Sequence, residues 1–144
     1  MKMTKRYAFL IAVTAALACT ATVSAYWMME IQSVYKVIDM GMDVYVAEPP
    51  GINVDTDAVH FGKIPPGASG SRELTVTAGN YDTMVVFEHY GSIAEWTSVS
   101  DNYIMLKPNE SREVMVQVTI PEDIVPLVYR NGTLRIVFRR AFLW

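Results

Sequence analysis

Acidic residues are missing from the first 29 positions, and no charged residue of either sign occurs between Tyr7 and Met29. Cysteine is nearly missing too: Cys19 stands alone, inside that uncharged run, so no disulfide can form within the chain. A domain without disulfides must be held by its own apolar core. A basic excess is also lacking. The 12 Lys and Arg include Lys2, Lys5 and Arg6, which leaves nine after residue 29 against all 15 Asp and Glu, a formal charge of −6 for that part. Nucleic-acid affinity comes chiefly from phosphate neutralisation by Lys and Arg, so no nucleic-acid partner is expected.

Signatures of catalysis are equally scarce. There is no Gly-rich phosphate loop ending in Lys-Ser or Lys-Thr and no Cys or His cluster with zinc spacing. Gly67-Ala68-Ser69-Gly70-Ser71 opens like a nucleophile elbow but has serine where the last glycine belongs. His60 and His89 fall in expected strands beside Phe61 and Tyr90 and read as histidines that hydrogen-bond or face solvent. An enzyme is not expected, nor is a cofactor. Asn53, Asp55 and Asp57 are weak metal candidates, since three oxygen-bearing side chains at alternate positions supply part of a calcium shell. Calcium needs six to eight oxygens, though, and neither the turn glycine nor the downstream acid of an EF-hand follows, so these residues read as turn formers.

What is present first is an address. Tyr7 to Met29 is 23 uncharged residues after a basic start. At about 1.5 Å per residue such a helix can cross a bilayer core of about 30 Å. Its length, and Tyr26, Trp27, Met28 and Met29 as an interfacial belt, describe an uncleaved anchor with the N-terminus cytoplasmic and the remainder extracellular. The basic start, the apolar run and Val23-Ser24-Ala25 also describe a cleavable signal, with the cut after Ala25. Export follows from both readings. A lipoprotein is disfavoured by Ala16-Leu17-Ala18 before Cys19, which has no leucine three residues upstream.

Beyond the run, Glu30 to Ile38 carries apolar residues at Ile31, Val34, Tyr35 and Ile38, a helix-face pattern, although Val34, Tyr35, Val37 and Ile38 are equally strand formers. From Asp43 the period becomes two. Strands are expected over 58–63, 72–77, 84–90, 95–100, 103–106 and 112–120, punctuated by Pro-Pro-Gly at 49–51 and 65–67 and by Lys107-Pro108-Asn109-Glu110. In the clearest of these strands, Val114, Val116, Val118 and Ile120 share one face. Pro121-Glu122-Asp123-Ile124 suggests one helical turn. Arg130-Asn131-Gly132 suggests the tight turn of a hairpin joining 127–129 to 133–138. The expected organisation is an anchor over 1–29, a juxtamembrane connector over 30–42, and an all-β antiparallel sandwich of about seven to nine strands over 43–144.

A resemblance then enters. Trp96-Thr97-Ser98-Val99-Ser100, Leu106-Lys107-Pro108-Asn109-Glu110 and Val114-Met115-Val116-Gln117-Val118-Thr119-Ile120-Pro121 look like the W-x-x-x-S, L-x-P-x-E and V-x-V-x-V-x-P run of immunoglobulin-like domains in prokaryotic surface proteins. Together with Asn53 to Asp57, Phe61-Gly62 and Pro65-Pro66-Gly67, the stretch from about 39 to 140 resembles a family of small archaeal membrane-anchored proteins with one extracytoplasmic immunoglobulin-like domain. The resemblance implies a fold and a surface location, and brings no catalytic motif. The chain departs from it at Val125-Pro126-Leu127, where such domains carry a glycine before the next strand.

The functional expectation is a non-catalytic, membrane-anchored binding or structural module working through protein contacts at the cell surface. Its alternative is a secreted domain with a weak metal-dependent or hydrolytic role. Trp96 reads as a core aromatic rather than a ligand-stacking platform. Asn109 and Asn131 head glycosylation sequons on expected turns. Phe142, Leu143 and Trp144 are three large apolar residues after the last expected strand, a pattern that marks partner contacts. The turn-former reading makes the first prediction. Replacing both Asp55 and Asp57 by alanine should leave stability unchanged with or without calcium; a gain of several kcal/mol for the parent at saturating calcium, lost in the double variant, would overturn it.

Overall fold

The computed structural model describes residues 5–48, 50–51 and 58–141. They belong to two compact units, Met1–Val34 and Tyr35–Trp144. The first is one helix, α1, Lys5–Ser33. Its Tyr7–Met29 stretch is long and apolar enough to cross a membrane by length and composition, a test that a signal sequence near an N-terminus also passes. Its few polar side chains are satisfied within the helix: Thr14 donates to the Leu10 carbonyl at 3.0 Å and Ser24 to that of Thr20 at 2.8 Å. That is the arrangement an apolar solvent demands.

The second unit is built from β1 (Val34–Val46), β2 (Val59–Ile64), β3 (Ser69–Thr77), β4 (Thr83–Gly91), β5 (Thr97–Val99), β6 (Ile104–Leu106), β7 (Ser111–Thr119) and β8 (Val128–Arg140). The 30–42 stretch expected as a connector is thus divided. Helix continues to Ser33, and the β-branched and aromatic residues from Val34 start β1 nine positions before Asp43. Five strands make one sheet in the order β2-β1-β8-β4-β6; three make the other in the order β3-β7-β5. β1 and β2 run parallel, with Gly62, at φ 76°, forming a bulge where the register slips between Asp43 and Tyr45. Contacts between β1 and β8 progress in opposite senses, Asp39 to Arg135 and Asp43 to Tyr129, so this pair is antiparallel. β4 pairs antiparallel with β8 over nine residues, and β3 does so with β7.

One core lies between the sheets. Val114, Val116 and Val118 of β7 are fully buried, with Ile120 behind them, while Glu113, Met115, Gln117 and Thr119 face solvent. Each such burial contributes about 1.5–3 kcal/mol. The five-stranded sheet adds Met42, Val44 and Val46, Val85 and Phe87, and Leu134, Ile136 and Phe138. Trp96 sits in a single 3-10 turn, Ala94–Trp96, buried in this core as expected, with the Arg130 guanidinium 4.8 Å from its ring centre.

The chain passes from the three-stranded to the five-stranded sheet between Val99 and Ile104. Side chains replace the missing ladder partners at this corner. Asn102 Oδ1 accepts the Phe87 N–H at 2.8 Å while its amide donates to the Phe87 carbonyl at 2.9 Å, and Ser100 Oγ accepts the Met115 N–H at 3.1 Å.

One turn expectation fails for an identifiable reason. Asn131-Gly132 is no turn but the middle of β8, where Gly132 pairs with Gly91. A Cβ on Gly132 would press into the Tyr90 carbonyl oxygen and lie 2.8 Å from Ile93 Cγ2, and one on Gly91 would lie 2.6 Å from the Gly132 Cα. Glycine is needed for close approach of two backbones, not for turning. Pro121 to Ile124 makes a single turn centred on Glu122-Asp123 that does not continue as helix, and Leu127 further on takes a φ of 72°. Val125-Pro126-Leu127 is the place where the resembled domains carry glycine, and leucine here occupies a glycine conformation.

Gly132→Ala should therefore lower stability by about 2–3 kcal/mol through backbone overlap. Asn131→Ala, which keeps every backbone bond, should change it by less than about 0.5 kcal/mol. Denaturant unfolding of the full chain in detergent checks both; equal effects would restore the turn reading.

Candidate functional site

The two sheets turn different faces to solvent. Outward positions of β3, β7 and β5 are mostly polar, with Ser71, Thr75, Ser98 and Gln117, the acids Glu73 and Glu113, and one large apolar residue, Met115. Outward positions of the five-stranded sheet carry Val37 and Asp39 on β1, Met84, Val86, Glu88 and Tyr90 on β4, Met105 on β6, and Tyr129, Arg135 and Val137 on β8. Val86 and Val137, direct register partners, point away from the core and are still buried. Met84 stands between Met105 and Arg139 in the next row, and Met105 is 54% exposed.

An ion pair occupies the middle of this face. Arg135 donates from Nε to Asp39 Oδ1 at 2.8 Å and from a terminal nitrogen to Oδ2 at 3.1 Å, the two-pronged geometry that suits guanidinium and carboxylate. This bond holds the Asp39 carboxyl below its ordinary pKa and Arg135 above its own. The Arg135 guanidinium also lies 5.5 Å from the centre of the Tyr90 ring, and the Tyr90 hydroxyl donates to Glu88, which pushes the phenol above its usual range. Four side chains from β1, β4 and β8 are thereby held in place on an exposed surface. Tyr, Met and Arg at a surface, with side chains already ordered, are the composition of protein-contact patches.

Beside it, at the junction of β1 and β2, His60 Nδ1 lies 2.8 Å from Asp43 Oδ1 and the Tyr129 hydroxyl donates to Asp43 Oδ2 at 3.1 Å. Partial desolvation and then that bond raise the Tyr129 pKa. The order is tyrosine, carboxylate, imidazole. These two bonds fix the orientation of all three side chains.

The remaining sequence candidates are dispersed. His89 is exposed on β4 opposite Leu134. Asn109 is exposed in the turn before β7 at φ 61°, its N–H donating to the Gly79 carbonyl at 2.9 Å, whereas Asn131 lies inside β8, its backbone tied to Ser92 and Ile93. Asn53, Asp55 and Asp57, and Phe142, Leu143 and Trp144, lie outside the described residues. Among the described residues no group of three or more His, Cys, Asp and Glu is placed to hold a metal ion. Tyr90, Tyr129, Met105 and Arg135 were not marked by sequence reasoning. The signal was there in Met84 to Phe87 and Ile136 to Phe138, which are apolar on both alternations, as central strands with a second contact surface are. In comparisons with protein-family models, curated proteins and solved structures, nothing matches this chain.

The Asp39–Arg135 pair contributes stability above the ordinary aspartate value of 3.8 and loses it as pH falls through the lowered folded-state value. A carboxyl-detected NMR titration should place the Asp39 midpoint below 3.8 in the parent and return it towards that value in Arg135→Ala. An unmoved midpoint would mean that the pair is not held in solution.

Proposed function

We propose that this protein is a membrane-anchored, extracytoplasmic binding module of immunoglobulin-like type, working without catalysis through protein contacts made by the outer face of its five-stranded sheet. The observation that carries the reading is the contrast between the two outer faces: Tyr90, Tyr129, Met105 and the ordered Arg135 on one, and on the other hydroxyl, amide and carboxylate side chains with Met115 as the single large apolar group. A face with buried outward valines and exposed tyrosines is poorly suited to water alone. The anchor assignment is supported by the Tyr7–Met29 helix, and the direction of insertion by Lys2, Lys5 and Arg6 before it. Two sheets sharing one core, with a strand path that crosses between them, support the β-sandwich part of this reading, and the immunoglobulin-like type rests on the sequence resemblance.

Carbonate washing should leave the chain in membranes, and protease added to intact cells should digest the β unit. Recovery of a soluble chain beginning at Tyr26 would favour the secreted form instead. Paired substitution Tyr90→Ala with Met105→Ala should lower recovery of a bound protein in mild detergent by at least about tenfold, roughly 1.4 kcal/mol. Thr75→Ala with Gln117→Ala on the opposite face should leave it unchanged, and the reverse result would move the site to the three-stranded sheet.

A further inference from the structure

We infer that Val125, Leu127 and Tyr129 form the anchor of that docking surface, entering an apolar pocket on a protein partner whose rim carries Lys and Arg. The inference rests on the docking reading above and names the chemistry of its partner. Val125 is 73% exposed, Leu127 74% and Tyr129 56%. Val125, Pro126 and Leu127 are exposed one after another between Ile124 and Val128, which pack against the core, and Tyr129 follows as the first outward residue of β8.

Leu127 is held in solvent by its backbone. Its N–H donates to the Val46 carbonyl at 2.7 Å and its φ is 72°. That conformation is unfavourable for a leucine, and nothing is returned by core packing, because the side chain is outside the core. Strain retained at an exposed apolar residue is a feature of recognition sites, and large apolar side chains seated in pockets dominate contact energetics.

Charge selects the class of partner. Glu122 and Asp123 precede the stripe, exposed, and Glu48 is exposed two residues beyond the Val46 carbonyl that Leu127 binds. No Lys or Arg occurs from Ile120 to Tyr129. The next base along the chain, Arg130, is turned towards the Trp96 ring and Glu95, and across β1 the exposed Lys63 pairs with Tyr45, so among the described residues the acids outnumber a single free base at this end. An anionic headgroup layer attracts bases and repels this set, whereas a protein pocket with a basic rim complements it.

The test places a photoreactive residue singly at position 125, 127, 90 or 98 of the full chain in its native membranes. The expected result is one protein adduct of fixed mass at 125, 127 and 90, absent at 98, and reduced at least tenfold at 127 when Glu122→Lys and Asp123→Lys are combined. Rising salt should weaken it in the parent. An adduct at 90 without one at 125 or 127 overturns the anchor and leaves the docking face standing, while no adduct at any position overturns both. Lipid adducts, a covalent dimer of this chain, or an adduct insensitive to the charge reversal each overturn the partner assignment. Leu127→Gly, which relieves the backbone strain, serves as the second variant. It should melt no lower than the parent yet lose the adduct formed at 125; retained adduct would remove Leu127 from the anchor.

Discussion

The nine-residue ladder between β4 and β8 is the constraint from which the arrangement of the β unit follows. Both strands are central in the five-stranded sheet, so each must be apolar on its inward side, and Val85, Phe87, Leu134, Ile136 and Phe138 supply that layer. The ladder extends to Gly91 opposite Gly132 only because neither residue has a Cβ. With both glycines in the ladder, β8 runs unbroken from Val128 to Arg140 and reaches β1 along its length, and the outward residues of three strands come into rows.

Those rows give the surface its chemistry. In one, Glu88, Arg135 and Asp39 meet across β4, β8 and β1; Tyr90 lies over Arg135, and Val86 with Val137 fills the next row. Solvent screens an exposed ion pair and an exposed cation–π contact, so these groups do little for the fold. Their effect is to hold aromatic and guanidinium groups in fixed positions on a flat face. Ordered side chains lose less entropy on contact with a partner, which is the physical advantage of such a surface.

At the end of the same sheet, the bond from Leu127 to Val46 and the Tyr129–Asp43–His60 chain tie the loop after β7 to β1 and β2. The loop is thus part of the face and not an appendage to it. Its acids lie beside exposed apolar residues, whereas the central band of the face balances Asp39 against Arg135. Exposed apolar residues and surface charge mostly of one sign thus lie side by side at this end of the sheet.

The sequence by itself determined the apolar helix, since an uncharged run of 23 residues is long and apolar enough to cross a membrane. It also determined β7, since strict alternation from Val114 to Ile120 admits one inward face. Trp96 in the core was legible for the same reason, a large aromatic beside short strands. Tertiary structure alone decided the start of β1, where helix and strand preferences of Glu30 to Ile38 were nearly equal and pairing with β8 tipped the balance from Val34. It decided Asn131-Gly132, because a glycine required for a turn and one required for a close backbone approach look the same along the chain. It also decided the face, because Asp39, Glu88, Tyr90 and Arg135 are neighbours through strand order and register. Their separations in sequence carry no trace of that proximity.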